Sequence, residues 1–168
     1  MTPKFRQYLL YITLICLLLV LTPWWYMRTN EEYVFYRQGD YYYSRDNFQK
    51  AAQHYSMALE KGLSHPELLA RLGDSCLAMH EFNRALDAFL EMKAMMPDNM
   101  SVRIKLAHAY SLNGMTDKAL ETVNRVLEMH PDWKTALVWK ARILALEGHF
   151  QEAIAIYYDV LGEPGRGE

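Results

Sequence analysis

Cysteine is scarce in this chain: 168 residues carry two, Cys16 and Cys76. No Cys-x-x-Cys pair is available to seat a structural zinc, and no Cys-x-x-Cys-His run to attach a haem. Cys16 lies in an apolar run, apart from Cys76, so the two form no disulfide framework. A glycine-rich phosphate loop is also missing. The six histidines, His54, His65, His80, His108, His130 and His149, are scattered and expected at turns or on outer faces. None pairs at i, i+4 with a neighbouring glutamate as a zinc hydrolase requires. No catalytic residue, cofactor or metal site is therefore expected. Excess positive charge is lacking too: 18 Lys and Arg face 20 Asp and Glu, a net charge of -2. With no basic block anywhere, nucleic acid is excluded as a partner. The ten methionines are expected as core filler.

Charge is absent altogether between Arg6 and Arg28, and residues 8–27 form a twenty-residue apolar stretch. As a helix it would rise about 30 Å, the thickness of a bilayer core. Trp24, Trp25 and Tyr26 stand at its end where an interfacial aromatic belt would lie, and no small residues suit a signal-peptide cut. We therefore expect a membrane anchor over residues 1–30. Lys4 and Arg6 favour an inside N-terminus, which in a bacterial inner membrane places the remainder in the periplasm.

Beyond residue 30 the chain is periodic. Ala51, Ala85, Ala119 and Ala153 recur at an interval of 34 residues. Repeats of 32–65, 66–99, 100–133 and 134–167 align further positions. The eighth is small (Gly39, Gly73, Ala107, Ala141), and the twenty-fourth is large or apolar (Tyr55, Phe89, Val123, Tyr157). Turn signals fall inside three of the units, at Arg45 to Asn47, at Asn113 and Gly114, and at Glu147 to His149. Asp98, Asn99 and Asp132 stand where they can cap the next helices. A period of this length builds stacked helical hairpins whose cores are completed by their neighbours.

The pattern resembles the tetratricopeptide repeat family, from Glu32 to Gly167. One departure is local: the family's tryptophan at the fourth position is Phe35, Leu69, Arg103 and Leu137, so the third repeat has lost its apolar anchor. The resemblance implies an all-α fold, four hairpins in a right-handed superhelix, with the first helix of each hairpin lining a concave groove. Its groove positions would be Tyr33, Tyr36, Arg37, Asp40 and Tyr43 in repeat one, and Arg71 and Asp74 in repeat two. Repeat three would add Ile104, Lys105 and His108, and repeat four Trp139 and Arg142. Aromatics with a few charges suit a protein or peptide ligand. The clamp that some members use for a terminal carboxylate does not carry over, since Tyr36, Asp40, Arg71 and Ser101 hold its positions and only Lys105 matches. At the last hairpin, Ile154, Tyr158 and Leu161 share a stripe expected to serve as a contact edge, for self-association or a partner.

The function so implied is a membrane-anchored, non-catalytic scaffold or adaptor that holds protein partners for a membrane or envelope assembly. A targeting-peptide receptor of an organelle membrane and a stoichiometric subunit of a membrane complex are the alternatives.

Overall fold

The computed structural model describes residues 3–162; within α1, the side chains of residues 3–7, 9, 10, 24 and 26–29 also fall outside the description. Among the described residues every regular element is a helix, in the order α1 (Pro3–Thr29), α2 (Glu31–Tyr43), α3 (Phe48–Glu60), α4 (Pro66–Ala78), α5 (Phe82–Met95), α6 (Met100–Leu112), α7 (Thr116–Met129), α8 (Lys134–Leu146) and α9 (Phe150–Leu161). From α2 onward the helices pair as hairpins, α2 with α3 through α8 with α9, and each hairpin leans on the next through α3 on α4, α5 on α6 and α7 on α8. The result is a solenoid of four units. Its first helices begin at Glu31, Pro66, Met100 and Lys134, within one residue of the sequence register. The close expected for the fourth unit, at Gly167, lies outside the described residues.

The register works because three kinds of position are constrained at once. The recurring alanines Ala51, Ala85, Ala119 and Ala153 are all buried, so each second helix can approach its partner closely. At the eighth position a side chain would collide with the twenty-fourth: a Cβ on Gly39 would lie 2.6 Å from the Tyr55 ring, and one on Gly73 would overlap Phe89. Where that partner is the smaller Val123, the eighth position accommodates Ala107, and both are fully buried. The turn inside each hairpin reaches a left-handed conformation at one recurring place, with φ of 55° at Asp46, 60° at His80, 71° at Gly114 and 86° at Gly148. Two of the four units thus hold that conformation with a side chain that strains it.

Helix starts differ in part from expectation. Asn47 and Asn99 cap α3 and α6 by accepting the Lys50 and Val102 amides at 3.2 Å each. Asp98 is fully exposed and leaves that role to Asn99. Asp132 does not cap α8 either, because Trp133 is the residue at its N-cap. His65, expected at a surface turn, caps α4: its Nδ1 accepts the Leu68 amide at 3.3 Å.

α1 meets the solenoid through α2. Among the described residues no helix is long and apolar enough to cross a membrane. The stretch expected to do so, 8–27, includes side chains outside the description at 9, 10, 24, 26 and 27.

Candidate partner-binding groove

The first helices of the four units present their polar positions side by side, and these interlock by a rule. The ninth position of each unit meets the sixth position of the next, 31 residues on. Asp40 on α2 forms an ion pair with Arg71 on α4. Asp74 on α4 accepts two hydrogen bonds from the Lys105 ammonium on α6, at 2.6 and 2.8 Å. His108 on α6 lies against the Trp139 indole on α8, ring centroids 4.2 Å apart. These rungs tie consecutive units along the groove floor.

The Asp40–Arg71 rung is braced further. The Tyr55 hydroxyl donates to Asp40 at 2.7 Å, while the Arg71 Nε donates to Glu67 at 2.9 Å. Burial, reinforced by Asp40, pushes the Tyr55 phenol far above its ordinary range, so it remains a donor at any physiological pH. Burial also pulls the His108 imidazole below its ordinary value, and the Arg142 charge adds to that. His108 is therefore neutral near pH 7, its ring tilted 38° against the indole. Arg142 itself lies 4.9 Å from the Trp139 ring centroid, a cation above an aromatic face.

Of the twelve groove residues expected from sequence, the structure gathers Asp40, Arg71, Asp74, Lys105, His108 and Trp139 into the rungs. Tyr33, Arg37 and Arg142 are exposed and available to a ligand. Tyr36 and Tyr43 are half-buried: Tyr36 packs edge-on against His65 at 4.8 Å, and Tyr43 packs against Phe48 and Tyr55. Ile104 departs from expectation. It is 5% exposed and belongs to the core with Val123, Val126 and Ile143, because its place on α6 faces the next hairpin. On α9, Ile154 and Leu161 are exposed and Tyr158 is half-buried.

Sequence reasoning missed Tyr55 and His65 as braces of the groove, and it placed the histidines too generally at the surface. His54 lies between Phe35 and Tyr42, ring centroids 6.3 and 5.2 Å away, and burial lowers its pKa. The signal for the rungs was present as opposite charges separated by 31 residues, at Asp40 and Arg71 and again at Asp74 and Lys105. Among the described residues no cluster of His, Cys, Asp or Glu could hold a metal ion.

A solenoid of helical hairpins with an aromatic and charged inner face is a protein-interaction scaffold. Two tetratricopeptide repeat models match the chain, over residues 36–99 and 77–143. The chain belongs to the tetratricopeptide repeat family. Among curated relatives, Tetratricopeptide repeat protein 21A of Mus musculus is 29% identical over 91 residues, covering 54% of this chain and 7% of that protein. Tetratricopeptide repeat protein 8 of Caenorhabditis elegans is 27% identical over 118 residues, 69% of this chain and 23% of its own length, so this chain spans less than a quarter of either relative. Among solved structures, MamA 41-end from Desulfovibrio magneticus RS-1 superposes with a TM-score of 0.71 at 18% identity, covering 96% of both chains. YrrB, described as a TPR protein with an unusual peptide-binding site, gives 0.70 at 17% identity over 81% of this chain and 71% of its own. At these identities the structural likeness establishes the fold.

Proposed function

We propose that the solenoid captures a protein segment along the groove of α2, α4, α6 and α8, and that α1 holds it at a bilayer as an assembly scaffold. The observation that carries the groove reading is the ladder itself. Its rungs consume the opposite charges of the floor internally, leaving Tyr33, Arg37 and Arg142 exposed, with half-buried Trp139 beside Arg142. Such a floor recognises a ligand by aromatic surface and by cations at both ends, so the favoured ligand is an extended or helical segment bearing carboxylates. The peptide-binding site of YrrB, on the same fold, is consistent with this use.

Support for the tether comes from α1. A helix of 27 residues is about 40 Å long, and its described side chains from Tyr11 to Pro23 are all exposed apolar groups, Thr and Cys. Confinement to a membrane raises the effective concentration of partners there. With the N-terminus inside, the repeats would face the periplasm of a bacterial envelope.

The groove is tested by placing a photo-crosslinking amino acid at Tyr33 or Trp139 in the full chain within its native membrane, with a control at Gln53 on α3. Adducts formed at the groove sites and lost in an Arg37→Ala, Arg142→Ala variant are expected. Equal adducts at Gln53 would refute a groove ligand. Topology is tested in intact bacteria with an impermeant thiol reagent and Gln151→Cys in a Cys16→Ser background. Protection of that cysteine until the inner membrane is opened would refute the periplasmic placement.

A further inference from the structure

The third unit lost its apolar anchor at the fourth position, and the structure shows what occupies the space. A cleft of about 170 Å³ between α5, α6 and α7 is lined by Lys93, Arg103, Tyr110, Lys118, Glu121, Thr122 and Arg125. Arg103 and Tyr110 lie seven residues apart on one face of α6, about 180° around the helix from Lys105 and His108. The cleft is therefore separate from the groove and its ladder. Lys118, Glu121, Thr122 and Arg125, at i, i+3, i+4 and i+7, form one face of α7.

The repeat supplies its own control. Moved back by 34 residues, these seven positions become Leu59, Leu69, Cys76, Arg84, Asp87, Ala88 and Glu91, and all seven line the corresponding cleft one unit earlier. That cleft holds one cation against two carboxylates; the later one holds four cations against one carboxylate. Moved forward, the positions are Leu127, Leu137, Leu144, Glu152, Ala155, Ile156 and Asp159, with two carboxylates and no cation. Of these three equivalent sets, the one between the second and third units is basic. This concentration of positive charge stands in a chain whose net charge is -2.

Two of the four cations are already engaged and two are not. Glu121 pairs with Arg125, and Arg103 donates to the Pro97 carbonyl at 2.9 Å while Asp98 stands 3.8 Å away and fully exposed. Lys118 lies 5.8 Å from the Tyr110 ring centroid, and among the described residues neither Lys93 nor Lys118 has a carboxylate partner. Bringing these like charges together is unfavourable unless an anion joins them.

We infer that this cleft binds a phosphate monoester, carried either on a protein chain or on a small metabolite. Its small volume admits a single compact group rather than a helix. A lone carboxylate would leave most of the charge unneutralised, whereas a phosphoryl dianion offers several acceptor oxygens to Lys, Arg and the Tyr110 hydroxyl at once.

The test uses the full chain in detergent, isotopically labelled, with amide resonances monitored as inorganic phosphate replaces chloride at constant ionic strength. Saturable shifts confined to residues around Arg103 and 118–125 are expected. Arg103→Leu restores the anchor type of the neighbouring units and should fold at least as well. It should weaken phosphate binding by about tenfold or more, a difference of about 1.4 kcal/mol. Arg84→Gln, in the earlier cleft, should bind as the parent does. Absence of saturable shifts, or binding unchanged in both Arg103→Leu and Lys118→Gln, overturns the inference. A phosphoserine peptide and glucose 6-phosphate then distinguish the sources: tighter binding of the peptide identifies a protein ligand, and tighter binding of glucose 6-phosphate a metabolite. The site stands apart from the groove, so loss of groove crosslinks leaves it untouched.

Discussion

The pairing of Gly73 with Phe89 can be tested by transplanting the solution that the third unit uses. In Gly73→Ala the new methyl would overlap the Phe89 ring, which is itself fully buried. Alanine gains roughly 0.5–1 kcal/mol over glycine inside a helix. Overpacking costs about 1–3 kcal/mol, so from the centres of the two ranges the net effect should be a loss of about 1 kcal/mol. Phe89→Val alone empties part of a fully buried site and should cost about 2–4 kcal/mol. Combined, the two changes reproduce the Ala107 and Val123 pair: the added methyl enters space that the ring has left. The double variant should lie near the cost of Phe89→Val alone, a coupling of about 1 kcal/mol. Urea unfolding of the four proteins, monitored by far-ultraviolet circular dichroism, measures the cycle. Costs that add within about 0.5 kcal/mol, or a neutral Gly73→Ala, would refute the view that these two positions share one volume.

The left-handed turn position gives a cleaner backbone test. Nothing lies within 4 Å of a Cβ on Gly114, so Gly114→Ala should destabilise by about 1 kcal/mol through φ alone, read from the same urea transitions. For the ladder, Asp74→Lys should cost about 1 kcal/mol, and adding Lys105→Asp should recover most of it; no recovery would mean the pair is incidental. The depressed His54 and His108 pKa values mean that the unfolded chain binds more protons than the folded one. Stability should then fall as pH drops through the unfolded histidine value of about 6.5, and His108→Gln should flatten that decline. A decline identical in His108→Gln and the parent would contradict the burial of His108 against Trp139.

The architecture was legible because the period tests itself at several positions: the alanines, the small eighth residue and the turn all report one register. Groove positions derive from that register, but whether a residue there faces ligand, neighbour or core does not. Ile104 belongs to the core for this reason, since its exposure depends on how α8 leans on α6. Asp40 and Arg71 were each legible as polar groove residues, yet their union depends on a separation of 31, three short of the period. The basic cleft was harder still. Its four cations are spread from Lys93 to Arg125 with no run among them, and only stacking brings α5, α6 and α7 together.

The ladder also makes the order of the units matter. Exchanging the second and third would set His108 against Arg71 and strand Asp74 beside Trp139. A copied first, second or third unit placed after the fourth would bring Arg37, Arg71 or Lys105 against Arg142. Hairpins with interchangeable cores are thereby made non-interchangeable neighbours. Such an array resists shuffling of its own parts: a tandem copy of the second unit keeps an Asp74–Arg71 rung, whereas lengthening after the fourth unit with any of the first three needs a different sixth residue.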